Sequence, residues 1–165
     1  KFIVGSFQRD TEGSDLITPK LEKGPDVFCD YVEKLSKEKD VHVLLGGWRR
    51  QYVINRLNES NIPFTYFELA PLDQLQKMYG SCDLYVVGSR HEGGPQSIFE
   101  CGLSKTPIIS TDVGIARKIL AAESIFDMEN YENAQPNIDY AYKNSLIFDI
   151  PQGFAKFNKM FEDIS

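Results

Sequence analysis

Leu84-Tyr85-Val86-Val87-Gly88-Ser89-Arg90-His91-Glu92-Gly93-Gly94-Pro95-Gln96-Ser97-Ile98-Phe99-Glu100 is the stretch on which the fold turns. Its first four residues are apolar without polar alternation, the pattern of a short strand buried on both faces. A polar loop with two adjacent glycines follows. Pro95 suits the first turn of a helix, where a missing N–H costs nothing, and the spacing predicts a helix over 95–103. A strand that passes through such a loop into a helix is half of a βαβ unit.

Outward from this stretch the alternation continues in both directions. Phe2-Ile3-Val4 is a strand closed by Gly5, and Gly24-Pro25-Asp26 opens a helix with Val27, Phe28, Tyr31, Val32 and Leu35 at helical spacing. Val41-His42-Val43-Leu44-Leu45 is a strand closed by Gly46-Gly47, and 49–59 is a helix on Tyr52, Val53 and Leu57. The aromatic strand Phe64-Thr65-Tyr66-Phe67 precedes a short helix carrying Leu72, Leu75, Met78 and Tyr79. Beyond the central stretch come the strand Pro107-Ile108-Ile109-Ser110, a helix over 114–121 and a short strand at Ser124-Ile125-Phe126. Helical patterns at 138–146 and 154–164 finish the chain, the last with Phe154, Phe157, Phe161 and Ile164 on one stripe. The expected fold class is α/β, a Rossmann-like doubly wound parallel sheet with helices on both faces. Ligands of such sheets bind beyond the carboxyl ends of the strands, where Gly5, Gly46, Gly47 and Gly88 stand.

The 165 residues make a single domain, 1–165, long enough to bury about 70% of the surface of the unfolded chain. With 18 Lys and Arg against 24 Asp and Glu the net charge is −6, so no global basic field attracts nucleic acid or an anionic membrane. A polyanionic ligand then needs a local cluster of cations. Cys29, Cys82 and Cys101 lack zinc-site spacing, as do His42 and His91, and read as reduced core thiols of a cytoplasmic protein. No apolar run approaches the ~18 residues of a transmembrane segment. The opening at Lys1-Phe2-Ile3-Val4 is already a core strand, and reads as the start of a piece of something longer.

The chemistry gathers where the central strand meets its helix. The amides of Gln96, Ser97 and Ile98 form an anion site at the positive end of the helix dipole, with Glu92 and Glu100 at the same mouth. Carboxylates accept hydrogen bonds from the vicinal hydroxyls of a sugar but repel a bare phosphate, so the combination fits a nucleotide sugar. On spacing alone, a capped helix start with two carboxylates complementing its dipole accounts for these residues equally well.

Ser89-Arg90-His91-Glu92-Gly93-Gly94-Pro95, Glu100 and Pro107-Ile108-Ile109-Ser110-Thr111-Asp112-Val113-Gly114 resemble the signature of GT-B-fold retaining glycosyltransferases. These are the group 1, family 4-like enzymes, whose motif is Glu, seven residues, Glu. The resemblance implies a nucleotide-sugar donor-binding domain, the C-terminal half of a hexosyltransferase of glycan biosynthesis. Its N-terminal acceptor domain is absent from this chain. Carried over, catalytic roles fall to Glu92 (donor-sugar hydroxyls) and to Arg9 and Lys23, with Gly24, as cations for the diphosphate leaving group. The donor would be held by Gly93, Gly94, Pro95, Gln96, Ser97 and Glu100, the last on the ribose hydroxyls. The base would sit near Gly46-Gly47 and Phe67-Glu68-Leu69, with Trp48 as a stacking candidate. No cofactor and no obligatory metal are implied. The partners are a nucleotide sugar, the missing N-terminal domain and, through it, a glycan or lipid acceptor. The full-length protein is placed in the cytoplasm, with a membrane-peripheral position allowed, and the lone piece is expected to bind donor and transfer nothing.

Departures from the family pattern are Lys105-Thr106-Pro107 in place of small residues, Ile115 in place of a glycine, Lys118 in place of an acid, and a long stretch between Arg9 and Lys23. They keep a non-catalytic GT-B-like binding module in play; part of a nucleotide-sugar epimerase is a second alternative, since half of such an enzyme resembles half of a transferase. No G-x-G-x-x-G dinucleotide fingerprint or P-loop is present. In the resembling enzymes the final helix crosses back to the other domain, so its stripe packs either there or on this sheet.

Overall fold

In the computed structural model the described residues are 1–127 and 131–163, the side chains of Glu132, Gln152, Lys156 and Phe157 excepted. Six strands pair in parallel: β1 Phe2–Ser6, β2 Val41–Gly46, β3 Phe64–Phe67, β4 Leu84–Val87, β5 Ile108–Thr111 and β6 Ile125–Phe126. Their order across the sheet is β3-β2-β1-β4-β5-β6. The register aligns Val4 with Val43 on one side and with Leu84 on the other. Chain order reverses between β1 and β4, the switch point at which loops leave in opposite directions and open a crevice. This is the expected doubly wound architecture.

Helices cover both faces: α1 Pro25–Leu35, α2 Gln51–Glu59, α3 Leu72–Gly80, α4 Gln96–Ser104, α5 Ala116–Ile119, α6 Ile138–Ser145 and α7 Ala155–Glu162. On one face Val4, Val43, Leu45 and Val86 pack against Val27, Phe28 and Val32 of α1 and Val53 and Leu57 of α2. On the other, Tyr85, Val87 and Ile108 meet Tyr79 of α3, Ile98 and Cys101 of α4 and Ala141 of α6. Successive residues of β4 thus serve opposite layers, as side-chain alternation along a strand requires. All three cysteines are free and buried.

Three helices differ from their sequence reading. α2, expected from 49, starts at Gln51, because Arg49 takes the left-handed region at φ 61°. Pro95 lies before α4 rather than in its first turn: ψ is 118°, and its carbonyl accepts the Ile98 N–H at 3.1 Å. The helix expected over 114–121 shortens to α5, because Leu120 turns extended with ψ 147°. At the C-terminus, Phe154 and Phe161 of the stripe are more than half exposed and belong to neither core layer of the sheet. The stripe's Phe157 side chain and Ile164 lie outside the described residues.

Candidate functional site

The site is built by β1, β4 and the segments that leave them. After β1 the chain passes Phe7 and Gln8 and makes a small antiparallel excursion, where Thr11 bridges Pro19. It returns through a turn at Leu21–Lys23 into Gly24. Gly24 has φ +58°, and a Cβ there would stand 1.8 Å from the Gly88 carbonyl oxygen. Only glycine lets the Lys23-Gly24 peptide lie flat against the end of β4. The Lys23 carbonyl accepts the Gln8 side-chain amide at 2.8 Å, which fixes the turn across the mouth of β1.

The β4–α4 loop is tied to the same turn. The Arg90 N–H donates to the Glu22 carbonyl at 2.8 Å. Its guanidinium donates to both Asp26 oxygens at 2.8 and 2.6 Å and to the Leu21 carbonyl at 2.8 Å. Burial works against the Asp26 carboxylate, yet the bonds and charge of Arg90 outweigh it and hold that acid below its ordinary range. Behind the loop, Gly114 has φ +52° and packs so closely that a Cβ would be 2.5 Å from the Gly93 oxygen. The Asp-Val-Gly turn noticed in the sequence therefore shapes the loop from behind.

Between these walls lies a cavity of about 420 Å³. Lys23, Glu92, Gly93, Gly94, Pro95, Gln96, Ser97 and Glu100 all line it, together with Phe7, Gln8, Leu75 and Tyr79. Lys23 donates from Nζ to Glu92 Oε1, an ion pair with Glu92 10% and Lys23 30% exposed. Desolvation, with Lys20 nearby, lowers the Lys23 pKa from its ordinary value. The amides of Gln96 and Ser97, at the first two helical positions, have no carbonyl behind them in the helix and open the positive end of α4 to the cavity. The Ile98 amide, expected to join them, is taken by Pro95.

Of the residues assigned to the diphosphate and the sugar, Arg9 is not brought to the cavity wall, and neither is the stretch expected to hold the base, Gly46-Gly47, Trp48 and Phe67-Glu68-Leu69. The Arg9 Nε donates to the Thr11 carbonyl at 2.7 Å, and its guanidinium lies 5.7 Å from the Trp48 ring. Trp48 is more than half exposed and has Arg49 on it as well, at 5.2 Å. His91 is exposed, while His42 bonds Thr65 Oγ1 at 2.9 Å within the sheet.

Two arrangements at the site escaped the sequence reading. Tyr79, read as one apolar position of α3, donates its hydroxyl proton to Glu100 Oε2 at 2.5 Å. Arg50 is fully buried with its Nε 3.0 Å from Asp10 Oδ2, and it also reaches Ser6 Oγ, the Gly46 carbonyl and the Gln8 carbonyl. Desolvation raises the Asp10 pKa to about 6 in spite of Arg50 and the first-turn amides of α2 at Tyr52 and Val53. The pair locks the post-β1 loop to the post-β2 loop beneath the cavity rim. Its only trace in the sequence is two charges at positions where core residues would do. Among the described residues no three His, Cys, Asp or Glu side chains form a metal-holding group, and no helix is long and apolar enough to cross a membrane.

Comparison with known proteins fits this geometry. The family model for glycosyl transferases group 1 matches residues 15–133. No curated protein sequence matches the chain. Among solved structures, Anabaena Alr3699/HepE in complex with UDP and glucose is similar with a TM-score of 0.75 at 15% identity, over 98% of this chain and 48% of that one. Sucrose-phosphate synthase from Thermosynechococcus elongatus gives 0.73 at 14% identity, over 99% and 45% of the two chains. The catalytic domain of cholesterol-alpha-glucosyltransferase from Helicobacter pylori gives 0.63 at 16% identity, over 99% of each. The chain spans about half the length of the first two, at 48% and 45%. At these identities the likeness of structure is one of fold. The family match covers most of the chain and the fold is the one its structures share, so the chain belongs to the group 1 glycosyltransferases, with the Rossmann-like architecture of one half of a GT-B enzyme.

Proposed function

We propose that this chain is the nucleotide-sugar donor-binding domain of a retaining glycosyltransferase that moves a hexose to a glycan or lipid acceptor. One observation carries the reading: Lys23, Glu92, the open amides of α4 and Glu100 all line one cavity at the topological switch point. In this reading the amides of Gln96 and Ser97 and the Lys23 ammonium take the diphosphate oxygens. As the bond from the sugar's anomeric carbon to the diphosphate breaks, negative charge grows on the leaving oxygen. Preorganised positive groups stabilise that charge more than the ground state. Glu92, at the loop ridge, accepts hydrogen bonds from sugar hydroxyls, and Glu100, one turn into α4, accepts them from the ribose. Arg9 joins the diphosphate only by moving from its place beside Trp48 to the cavity wall. The acceptor, delivered by an N-terminal domain, would attack on the face from which the diphosphate departs, keeping the anomeric configuration. No metal or cofactor is called for.

The UDP and glucose bound by the Anabaena protein support the ligand class. The non-catalytic alternative draws on Lys105 and Lys118, and both residues lie outside the cavity wall. Calorimetric titration with UDP, GDP and ADP tests the reading. One of them should bind in the millimolar range or tighter, and Glu100→Ala should weaken it about tenfold or more, the scale of a lost hydrogen bond to a charged group. No binding of any of the three at millimolar concentration would leave the non-catalytic module as the better account.

A further inference from the structure

The Tyr79 hydroxyl belongs to neither the apolar core nor the ligand contacts just described. Tyr79 is 4% exposed, on the inner face of α3, yet its oxygen stands at the cavity wall, 2.5 Å from Glu100 Oε2. Among the described residues it is the one side chain bonded to that carboxylate. Its ring is wedged in an aromatic cluster, with centroids 4.8 Å from Phe7 and 5.3 Å from Tyr85. The Tyr85 hydroxyl accepts the Phe7 N–H at 2.8 Å, which ties that ring to the segment after β1.

We infer that Tyr79 is a positioning residue for Glu100, holding one carboxylate oxygen so that the other is aimed into the cavity to recognise the ribose of a bound nucleotide. This rests on the donor-site reading and adds to it the way the site tells ribose from its deoxy forms. A glutamate side chain has three rotatable bonds and loses them on binding a ligand. A carboxylate already fixed by a buried hydroxyl has lost them beforehand, so its bonds to the two ribose hydroxyls cost less at the moment of binding. Phe7 and Tyr85 are the frame that keeps the hydroxyl in place. A purely structural tyrosine would act on the fold and on every ligand alike; a positioning tyrosine acts on the hydroxyls Glu100 reads.

The test titrates the chain and its Tyr79→Phe variant with three probes: the best-binding of UDP, GDP and ADP, its 2′,3′-dideoxy form, and inorganic pyrophosphate. Tyr79→Phe keeps the ring and its packing, and its unfolding midpoint is measured alongside. Wild type should prefer the ribose form, and the variant should lose about tenfold in affinity for that form and most of the preference, with pyrophosphate binding held within about twofold. In a double-mutant cycle with Glu100→Gln, the two changes should be strongly non-additive for the ribose form and additive for pyrophosphate. If the variant keeps the ribose preference, or weakens all three probes equally, the positioning role is overturned while the donor-site reading stands. If wild type binds none of the probes, or binds ribose and dideoxy forms alike, the assignment of Glu100 to a ribose falls and the inference falls with it.

Discussion

Replacing Glu92 by Gln should tighten the binding of inorganic pyrophosphate. Lys23, the cation at the cavity, is paired with Glu92 in the unliganded chain. A diphosphate must therefore compete with that carboxylate for the ammonium and must also approach its negative charge. Glu92 is nine-tenths buried and Lys23 about two-thirds, so the pair falls between an exposed ion pair, worth about 0–1 kcal/mol, and a buried one. We take about 1–2 kcal/mol for the competition that Gln removes; at 1.4 kcal/mol per decade this is a gain of about 5- to 30-fold. Gln keeps the length of Glu and can still accept a bond from Lys23, so the fold should be little affected. The measurement is calorimetry with pyrophosphate at two salt concentrations. The gain should shrink at high salt and vanish in a Lys23→Met background, which removes the cation being released. Unchanged or weaker binding by Glu92→Gln would refute the competition, as would a gain that persists without Lys23.

Two further outcomes follow from the scaffold. Gly24→Ala puts a Cβ 1.8 Å from the Gly88 oxygen at φ +58°, so it should cost about 2 kcal/mol or more in chemical denaturation and abolish pyrophosphate binding by displacing Lys23. Asp10, its pKa raised to about 6 from an ordinary 3.8, binds its proton more tightly folded than unfolded. The stabilisation is fully present below about pH 4 and is lost as pH rises through 6. Relative to a non-titrating Asp10→Asn variant, wild type should therefore lose about 3 kcal/mol between those pH values; parallel pH profiles would show that Asp10 titrates normally.

Much of the fold was legible because its signal is local. Each strand is an apolar run closed by a turn, and all six appear where the runs lie, within a residue or so. Helix ends were read less well. The proline at 95 has the φ of a helical residue at −60°, but its ψ is decided by the loop that Gly114 and Arg90 hold in place, which no local pattern reveals. Lys105 shows the converse. It departs from the family's small residue, and the structure places it in the left-handed region at φ 56°, as the C-cap of α4, where glycine is preferred. Its ammonium lies 4.4 Å from the Tyr142 ring, a contact glycine could not make. The oddity is thus one of helix termination, remote from the cavity, and says nothing against donor binding.

What stayed illegible at the site is pairing across the chain, and the switch point explains why. Arg90 meets Asp26 across 64 residues, Lys23 meets Glu92 across 69, and Tyr79 meets Glu100 across 21. Each pair joins an element near β1 or α3 to the segment that follows β4; the first two become contacts only once β4 has been placed beside β1, and the third once α3 and α4 pack on one face of the sheet. The pairs then divide by the work their geometry allows. Arg90 is committed: two bonds to Asp26 and one to Leu21 take three of its five guanidinium N–H donors, and its own amide is held on Glu22. Lys23 has three protons on a flexible stem, partly exposed at the cavity, and one of them on Glu92. An arginine locks the loop and a lysine beside it stays available to change partners. That division of labour lets a site in a chain of net charge −6 present positive charge where an anion arrives and keep it neutralised until then.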